Sequence, residues 1–259
     1  MPIKNVVVNC TDVQRSVEYY TKFLELRVIG EPTPERAVLD AVTATIELRA
    51  VGNGRDRSTW SPDDLQKGFR HVGFKVDRLD ERADVLKAAG VEFKLDPLDA
   101  EGEVRICFFY DPDGTLLEMI QGDLQYAAVL DADGVARERA LGVPRRPRLD
   151  HIAVTIEDRA ATSNYYHEHY GFSFIGTIEQ PHDQRGFSIG YLKGGDTVLE
   201  VFTYEVDKTS REPQLDVAGF AYAELAGDPP TDLTTATAPD GTSVYVDPDG
   251  FAFAVGSGA

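Results

Sequence analysis

The chain has 259 residues, 42% of them hydrophobic, and its 26 lysines and arginines stand against 44 aspartates and glutamates, for a formal net charge of −18. That length suits two domains, each closing its own core, and nothing in the composition suggests disorder. A sequence isoelectric point near 4.6 argues against a nucleic-acid partner, because binding to a phosphate backbone needs clustered cations.

Asn5 to Cys10 opens the chain as a strand, and Thr11 or Asp12 can cap a helix whose Val13, Val17, Tyr20 and Leu24 recur at helical spacing. Short strands follow at Leu26 to Ile29, Arg36 to Asp40 and Ala44 to Val51. Residues 52–68, GNGRDRSTWSPDDLQKG, are loop by composition, with Trp60 expected to pack on the scaffold rather than act as a lid. The plan then repeats. His71 to Val76 is a strand, Leu79, Ala83 and Leu86 face inward from a helix that stops at Gly90, and strands follow at Val91 to Leu95, Arg105 to Tyr110 and Leu116 to Gln121. Gly122 to Arg148, ending in GVPRRPR, reads as a linker. A third unit starts with the strand His151 to Ile156, runs a helix through Tyr165 and Tyr166, and returns near Phe172 to Gly176, Gly186 to Leu192 and Thr197 to Tyr204. In the fourth unit Pro229 and Pro230 stand where the helix should run, so that helix is expected to be short or missing.

The predicted class is therefore α+β, with four βαβββ units. Residues 1–122 form a first two-unit domain, 123–148 a linker, and 149–259 a second domain whose last unit is degenerate. The two copies are related by sequence. Tyr19, Tyr20 and Gly30 recur at one offset as Tyr165, Tyr166 and Gly176, and the tetrapeptide DPDG at Asp111 recurs at Asp247. Carrying the offsets through sets Asn5 opposite His151, His71 opposite Val217 and Glu118 opposite Ala254. The N-terminus, MPIKNVVVNC, enters a strand without an apolar leader, and no apolar run of about 18 residues follows. Cys10 and Cys107 fall within strands, as buried thiols rather than a disulfide. A cytoplasmic protein, monomeric or homodimeric, is expected, with a small molecule as its partner and neither nucleic acid nor membrane.

The strand-initial sequences HVGF at His71 and HIAV at His151, the run RLDHIAVTIEDRAATSNYY with GFSFIG and VLEVF, and the DPDG turn followed by LLEMIQ resemble the vicinal oxygen chelate superfamily. That superfamily includes glyoxalase I, methylmalonyl-CoA epimerase, extradiol dioxygenases and antibiotic-binding resistance proteins. The resemblance implies that each unit curls into half a barrel and that two facing units supply up to four metal ligands, from first and fourth strands. The first unit then offers Asn5 and Glu47, the second His71 and Glu118, the third His151 and Glu200, and the fourth Val217 and Ala254. Pairing within each copy would divide the histidines between barrels. Pairing the second unit with the third gathers His71, Glu118, His151 and Glu200 into one complete set and leaves Asn5, Glu47, Val217 and Ala254 in a barrel without metal chemistry. The second arrangement is favoured, because one complete and one dead site is the simpler history.

A lone strand-initial histidine is ordinarily a hydrogen-bonded rim residue, but two at equivalent repeat positions, each with its own inward glutamate, point to a metal. Two imidazoles and two carboxylates suit a divalent ion, with Zn, Ni, Co, Mn and Fe all compatible. His167 and His169 stand on different faces of a helix, His182 lies on a loop, Tyr165 and Tyr166 serve packing, and DPDG is a tight turn. The resemblance implies a lyase or isomerase of glyoxalase or epimerase type, in which the metal holds two neighbouring substrate oxygens and Glu118 or Glu200 is the catalytic base. An extradiol-type dioxygenase and a non-catalytic small-molecule-binding protein are the alternatives.

Overall fold

A computed structural model describes residues 2–51 and 59–256, so residues 52–58 of the predicted loop 52–68 lie outside the described residues. The first unit comprises β1 (Ile3–Cys10), α1 (Val13–Phe23), β2 (Arg27–Ile29), β3 (Arg36–Asp40) and β4 (Thr45–Ala50), and Asp12 caps α1 by accepting a hydrogen bond from the Arg15 amide. The second comprises β5 (Gly68–Lys75), α2 (Leu79–Ala88), β6 (Phe93–Ala100), β7 (Val104–Tyr110) and β8 (Leu116–Gln121). Next come β9 (Ala128–Val129) and α3 (Ala132–Ala140), then the third unit, with β10 (Arg148–Thr155), α4 (Arg159–Tyr170), β11 (Ser173–Glu179), β12 (Ser188–Gly194) and β13 (Thr197–Thr203). The fourth unit, β14 (Gly219–Ala226), β15 (Thr234–Thr237), β16 (Ser243–Val246) and β17 (Ala252–Gly256), has no helix between its first two strands. Pro229 and Pro230 in that gap have no amide hydrogen to give a helix.

Two sheets result, and each combines units from both copies. One runs β15-β16-β17-β14-β1-β4-β3-β2 and joins the fourth unit to the first; the other runs β6-β7-β8-β5-β10-β13-β12-β11-β9 and joins the second to the third. In β10 every residue is buried, so this central strand is covered on both faces. Alternation divides its side chains. Ile152 and Val154 enter the large core shared with Tyr20, Phe74, Tyr166 and Phe253, whereas Ala153 faces a smaller cluster with Ile120, Tyr191 and Phe202.

The stretch read as a linker is built into this sheet. β9 pairs with β11, Asp131 caps α3 by accepting from the Gly134 amide, and Val135 and Leu124 are buried in the second cluster. Cys10 and Cys107 are both buried free thiols, which burial pushes up to about 12. No helix among the described residues is long and apolar enough to cross a membrane.

The repeated tyrosines and the repeated DPDG turns turn out to be partners. Tyr20 donates to Asp111 at 2.9 Å and Tyr166 to Asp247 at 2.8 Å, so α1 is tied to the second unit and α4 to the fourth. Each aspartate also accepts two backbone amides of its own turn, and the turn glycines, Gly114 and Gly250, take the left-handed conformation at φ 88° and 84°. The sheets thus join units crosswise while the tyrosines join them in sequence. Tyr20→Phe and Tyr166→Phe each remove a donor from a buried carboxyl, and each should cost about 1–3 kcal/mol. Urea unfolding checks this, and unchanged midpoints in both variants would show that the locks are dispensable.

Candidate metal centre

β5 and β10 run antiparallel at the middle of the nine-stranded sheet, with His71 opposite Ala153 and His151 opposite Gly73. β8 lies parallel to β5 with Glu118 beside Gly73, and β13 lies parallel to β10 with Glu200 beside Ala153. The four side chains therefore leave neighbouring positions on one face, around two small residues. Gly73 has to be glycine, because a Cβ there would fall 2.0 Å from the His151 ring.

The donor atoms converge. Glu118 Oε2 lies 2.9 Å from His71 Nε2 and 2.8 Å from His151 Nε2, the two Nε2 atoms are 3.2 Å apart, and Glu200 Oε2 is 3.5 Å from His151 Nε2. One ligand atom from each of the four lies within 4.8 Å of every other, and all four residues are buried. A divalent ion with bonds of about 2.1 Å separates adjacent donors by about 3.0 Å in an octahedron and about 3.4 Å in a tetrahedron. The observed spacings fit such an ion.

Electrostatics separates the four. Burial pulls His71 down to about 4. Burial also opposes a charge on His151, but Glu200, Asp150 and Glu118 outweigh it and hold this imidazole above its usual range. For Glu118 the desolvation that would raise the carboxyl is overcome by hydrogen bonds from His151 and His71, which lower it. Among the described residues no such bond reaches Glu200, and burial, opposed by His151 but joined by Glu118 and Asp150, lifts it to about 8.

Sequence reading missed Asp150. Its carboxylate lies 3.2 Å from His151 Nδ1, a contact that would keep a ring proton on Nδ1 and leave Nε2 as the ligand atom once an ion replaced the Nε2 proton. Burial acts against this carboxylate, yet the Lys75 and His151 charges hold it below the usual range. Asp150 is the extra residue where the β5–β10 register shifts between Leu149 and His151, which lets successive side chains serve one site. The aspartate in RLDH was the available signal, but simple alternation assigns it to the other face. Arg70 holds the corresponding place before His71, whose buried Nδ1 has no hydrogen-bond partner among the described residues.

The eight-stranded sheet carries the other set. Asn5 pairs with Glu224, which adjoins Ala254, and Val7 pairs with both Glu47 and Tyr222. Tyr222, and not Val217, therefore stands where His71 stands in the other sheet. The expected position of Val217 is wrong because the connection before β14 is longer than a constant offset allows. Val217 precedes that strand, and its carbonyl accepts from Asn9 at 3.0 Å. Here Glu47 accepts from Asn5 at 3.3 Å and is held by the guanidinium groups of Arg36 and Arg49, while Arg49 reaches the Tyr222 hydroxyl at 2.7 Å. Neither Tyr222 nor Ala254 offers an imidazole or carboxylate, so the ligand pair an extradiol dioxygenase would draw from the fourth unit is not supplied.

The remaining candidates lie apart from the four donors. His167 Nδ1 donates to the Phe172 carbonyl at the end of α4, His169 packs on Tyr165, and Trp60 donates to the Phe69 carbonyl. Exposed His182 lies on the wall of a cavity of about 570 Å³ that opens beside His71, Glu118 and Glu200.

Residues 3–119 and 148–255 match the model of the Glyoxalase/Bleomycin resistance protein/Dioxygenase superfamily. A probable lactoylglutathione lyase of Vibrio cholerae is 27% identical over 49% of this chain and 95% of its own length. A probable chloroplastic lactoylglutathione lyase of Arabidopsis thaliana is 24% identical over 86% of this chain and 58% of its own. The crystal structure of glyoxalase I from Zea mays superposes with a TM-score of 0.67 at 20% identity, over 98% of this chain and 91% of that one, a likeness of fold. With the family model matched in both copies, the chain belongs to the Glyoxalase/Bleomycin resistance protein/Dioxygenase superfamily.

Proposed function

We propose that this chain is a divalent-metal-dependent lyase or isomerase acting on a small carbonyl compound with two neighbouring oxygens. The observation that carries this reading is the convergence of His71, Glu118, His151 and Glu200 at metal-ligand spacing beside an open cavity. These four residues would hold the ion. When bound, a divalent cation supplies Lewis-acid stabilisation of the negative charge that develops on paired substrate oxygens. The names of the Vibrio and Arabidopsis relatives support a lyase.

The residues divide the remaining work. Asp150 orients His151, and the buried surroundings keep water from competing for the reacting atoms. Glu118, gripped by both imidazoles, is fixed in place. Glu200 is held more loosely, and burial raises its proton affinity toward neutrality, so it is the better base for removing a proton from the carbon next to the carbonyl and returning it to the neighbouring atom.

Metal content and affinity of the wild type should be compared with His71→Ala, His151→Ala, Asp150→Asn and Asn5→Ala. The histidine variants should lose stoichiometric metal, Asp150→Asn should weaken binding about 10- to 100-fold, and Asn5→Ala should bind as wild type. A wild-type protein that takes up no divalent ion would refute the proposal.

Affinity should also depend on pH. Glu200, raised by burial to about 8, and His151, held above its usual range, must each lose a proton to serve as ligands, so affinity should climb from pH 6 upward by about tenfold or more per unit. Titrations in buffers of different ionisation enthalpy report the released proton directly. A flat affinity from pH 6 to 9 would remove Glu200 from the ligand set.

A further inference from the structure

Strand alternation fixes what surrounds the metal donors, because residues two apart on a strand share a face. Leu116 and Ile120 flank Glu118 on β8, Phe202 follows Glu200 on β13, and Ile106 and Phe108 come from β7; all of them line the cavity. Phe187 completes this wall, stacked on Phe202 with ring centroids 5.5 Å apart, and Phe108 meets the His71 ring edge-on at 4.9 Å. A substrate chelated beside Glu118 and Glu200 thus meets hydrocarbon on the face that carries the ligands.

The cations on the wall are already committed. Arg70 donates through Nη2 to the Asp64 carboxylate at 2.9 Å and through Nη1 to the Asp64 carbonyl, Thr155 and Tyr204, while its guanidinium lies 4.2 Å over the Phe202 ring. Lys94 donates to the Pro62 carbonyl at 2.7 Å and approaches Asp64 at 3.4 Å. Away from the metal donors, the other carboxylates of the wall are Asp99 and Glu101, and its one further basic side chain among the described residues is the exposed imidazole of His182. A glutathionyl arm carries two carboxylates and one ammonium group, and burying those carboxylates here would leave them without spare cations and facing like charge.

We infer, building on the metal-dependent reading above, that the substrate is a vicinal-oxygen compound whose remaining body is uncharged and aromatic or alkyl, and that this cavity is not built for a glutathione conjugate. Its volume of about 570 Å³ suits a small organic molecule. The apolar faces of Ile120, Phe187 and Phe202 supply the binding energy, and the metal donors supply the orientation.

The test uses the zinc-loaded protein with acetohydroxamate, benzohydroxamate and 2-naphthohydroxamate, which share one bidentate oxygen group and differ in apolar body, and with S-lactoylglutathione as competitor. Each added ring should tighten binding, with about a 10- to 100-fold gain from acetohydroxamate to benzohydroxamate, and S-lactoylglutathione should not displace benzohydroxamate at equal concentration. Leu98→Glu, at a half-buried position on the wall, should abolish most of that gain while metal content stays as in the wild type. Equal affinity for the three hydroxamates, or ready displacement by S-lactoylglutathione, would overturn the inference. A parallel arm titrates 2-naphthol, which has the body without the chelating group, into EDTA-treated protein and follows its fluorescence. Saturable binding that Leu98→Glu weakens supports the apolar site whether or not the protein takes up metal, whereas no binding overturns it. Failure to load zinc, by contrast, counts against the metal-dependent reading itself.

Discussion

The antiparallel contact of β5 with β10 is the constraint on which the rest of the molecule depends. It brings His71 and His151 from distant parts of the chain to neighbouring positions with their Nε2 atoms 3.2 Å apart, a separation for which neither strand alone has the geometry. It also determines which residues can lie between them. Gly73 makes space for the His151 ring, and Ala153 opposite His71 projects only a methyl group. Because β8 and β13 add in parallel on the two outer sides, the carboxylates of Glu118 and Glu200 follow without further adjustment. Once the second and third units are joined this way, the first and fourth are left to each other. The Tyr20–Asp111 and Tyr166–Asp247 bonds then close the arrangement by tying successive units together.

The two sheets show two solutions to one electrostatic problem, a glutamate buried at the centre of a sheet. A buried carboxylate is tolerated only with a counter-charge or strong donors. Around Glu47 the solution is internal. Arg36 and Arg49 approach the same carboxylate, Asn5 adds a weaker donor, and the Tyr222 hydroxyl accepts from Arg49, so the group is held below its usual range despite the burial that opposes this. Among the described residues no arginine is bonded to Glu118 or Glu200. Two carboxylates share two imidazoles, and the mismatch shows as one carboxyl held low and the other pushed up. The first arrangement is self-sufficient, and the second is the one that a divalent cation would complete.

Much of this was legible in the sequence because repetition and periodicity report on faces and units. The His71, Glu118, His151 and Glu200 set comes from the family resemblance mapped onto the repeated units, and the prolines at 229 and 230 correctly signal the lost helix. Two failures share one cause, the assumption of uniform spacing. A constant offset put Val217 in the place of Tyr222, since additional residues before β14 are invisible until that strand is seen paired with β1. Regular alternation hid Asp150, since a bulge is a local departure from it. Residues 123–148 read as a linker because they join the two copies and end in GVPRRPR, yet Leu124 and Val135 are buried in the second core.

The centre's position on an alternating sheet also explains how one small surface can serve reactivity and selectivity at once. A strand has two faces, and on β8 and β13 the outward face is committed to the main core, so on these two strands the residues near the site come from the same alternate positions as Glu118 and Glu200. Changing Glu118 or Glu200 alters the donor set; changing Ile120 or Phe202, two residues away, alters the cavity wall and leaves the donors where they are. The β5–β10 seam that positions the imidazoles is indifferent to that second class of change. The four donors can therefore be kept while the wall drifts from one apolar lining to another, and a family with one fold can hold many specificities without rebuilding its centre.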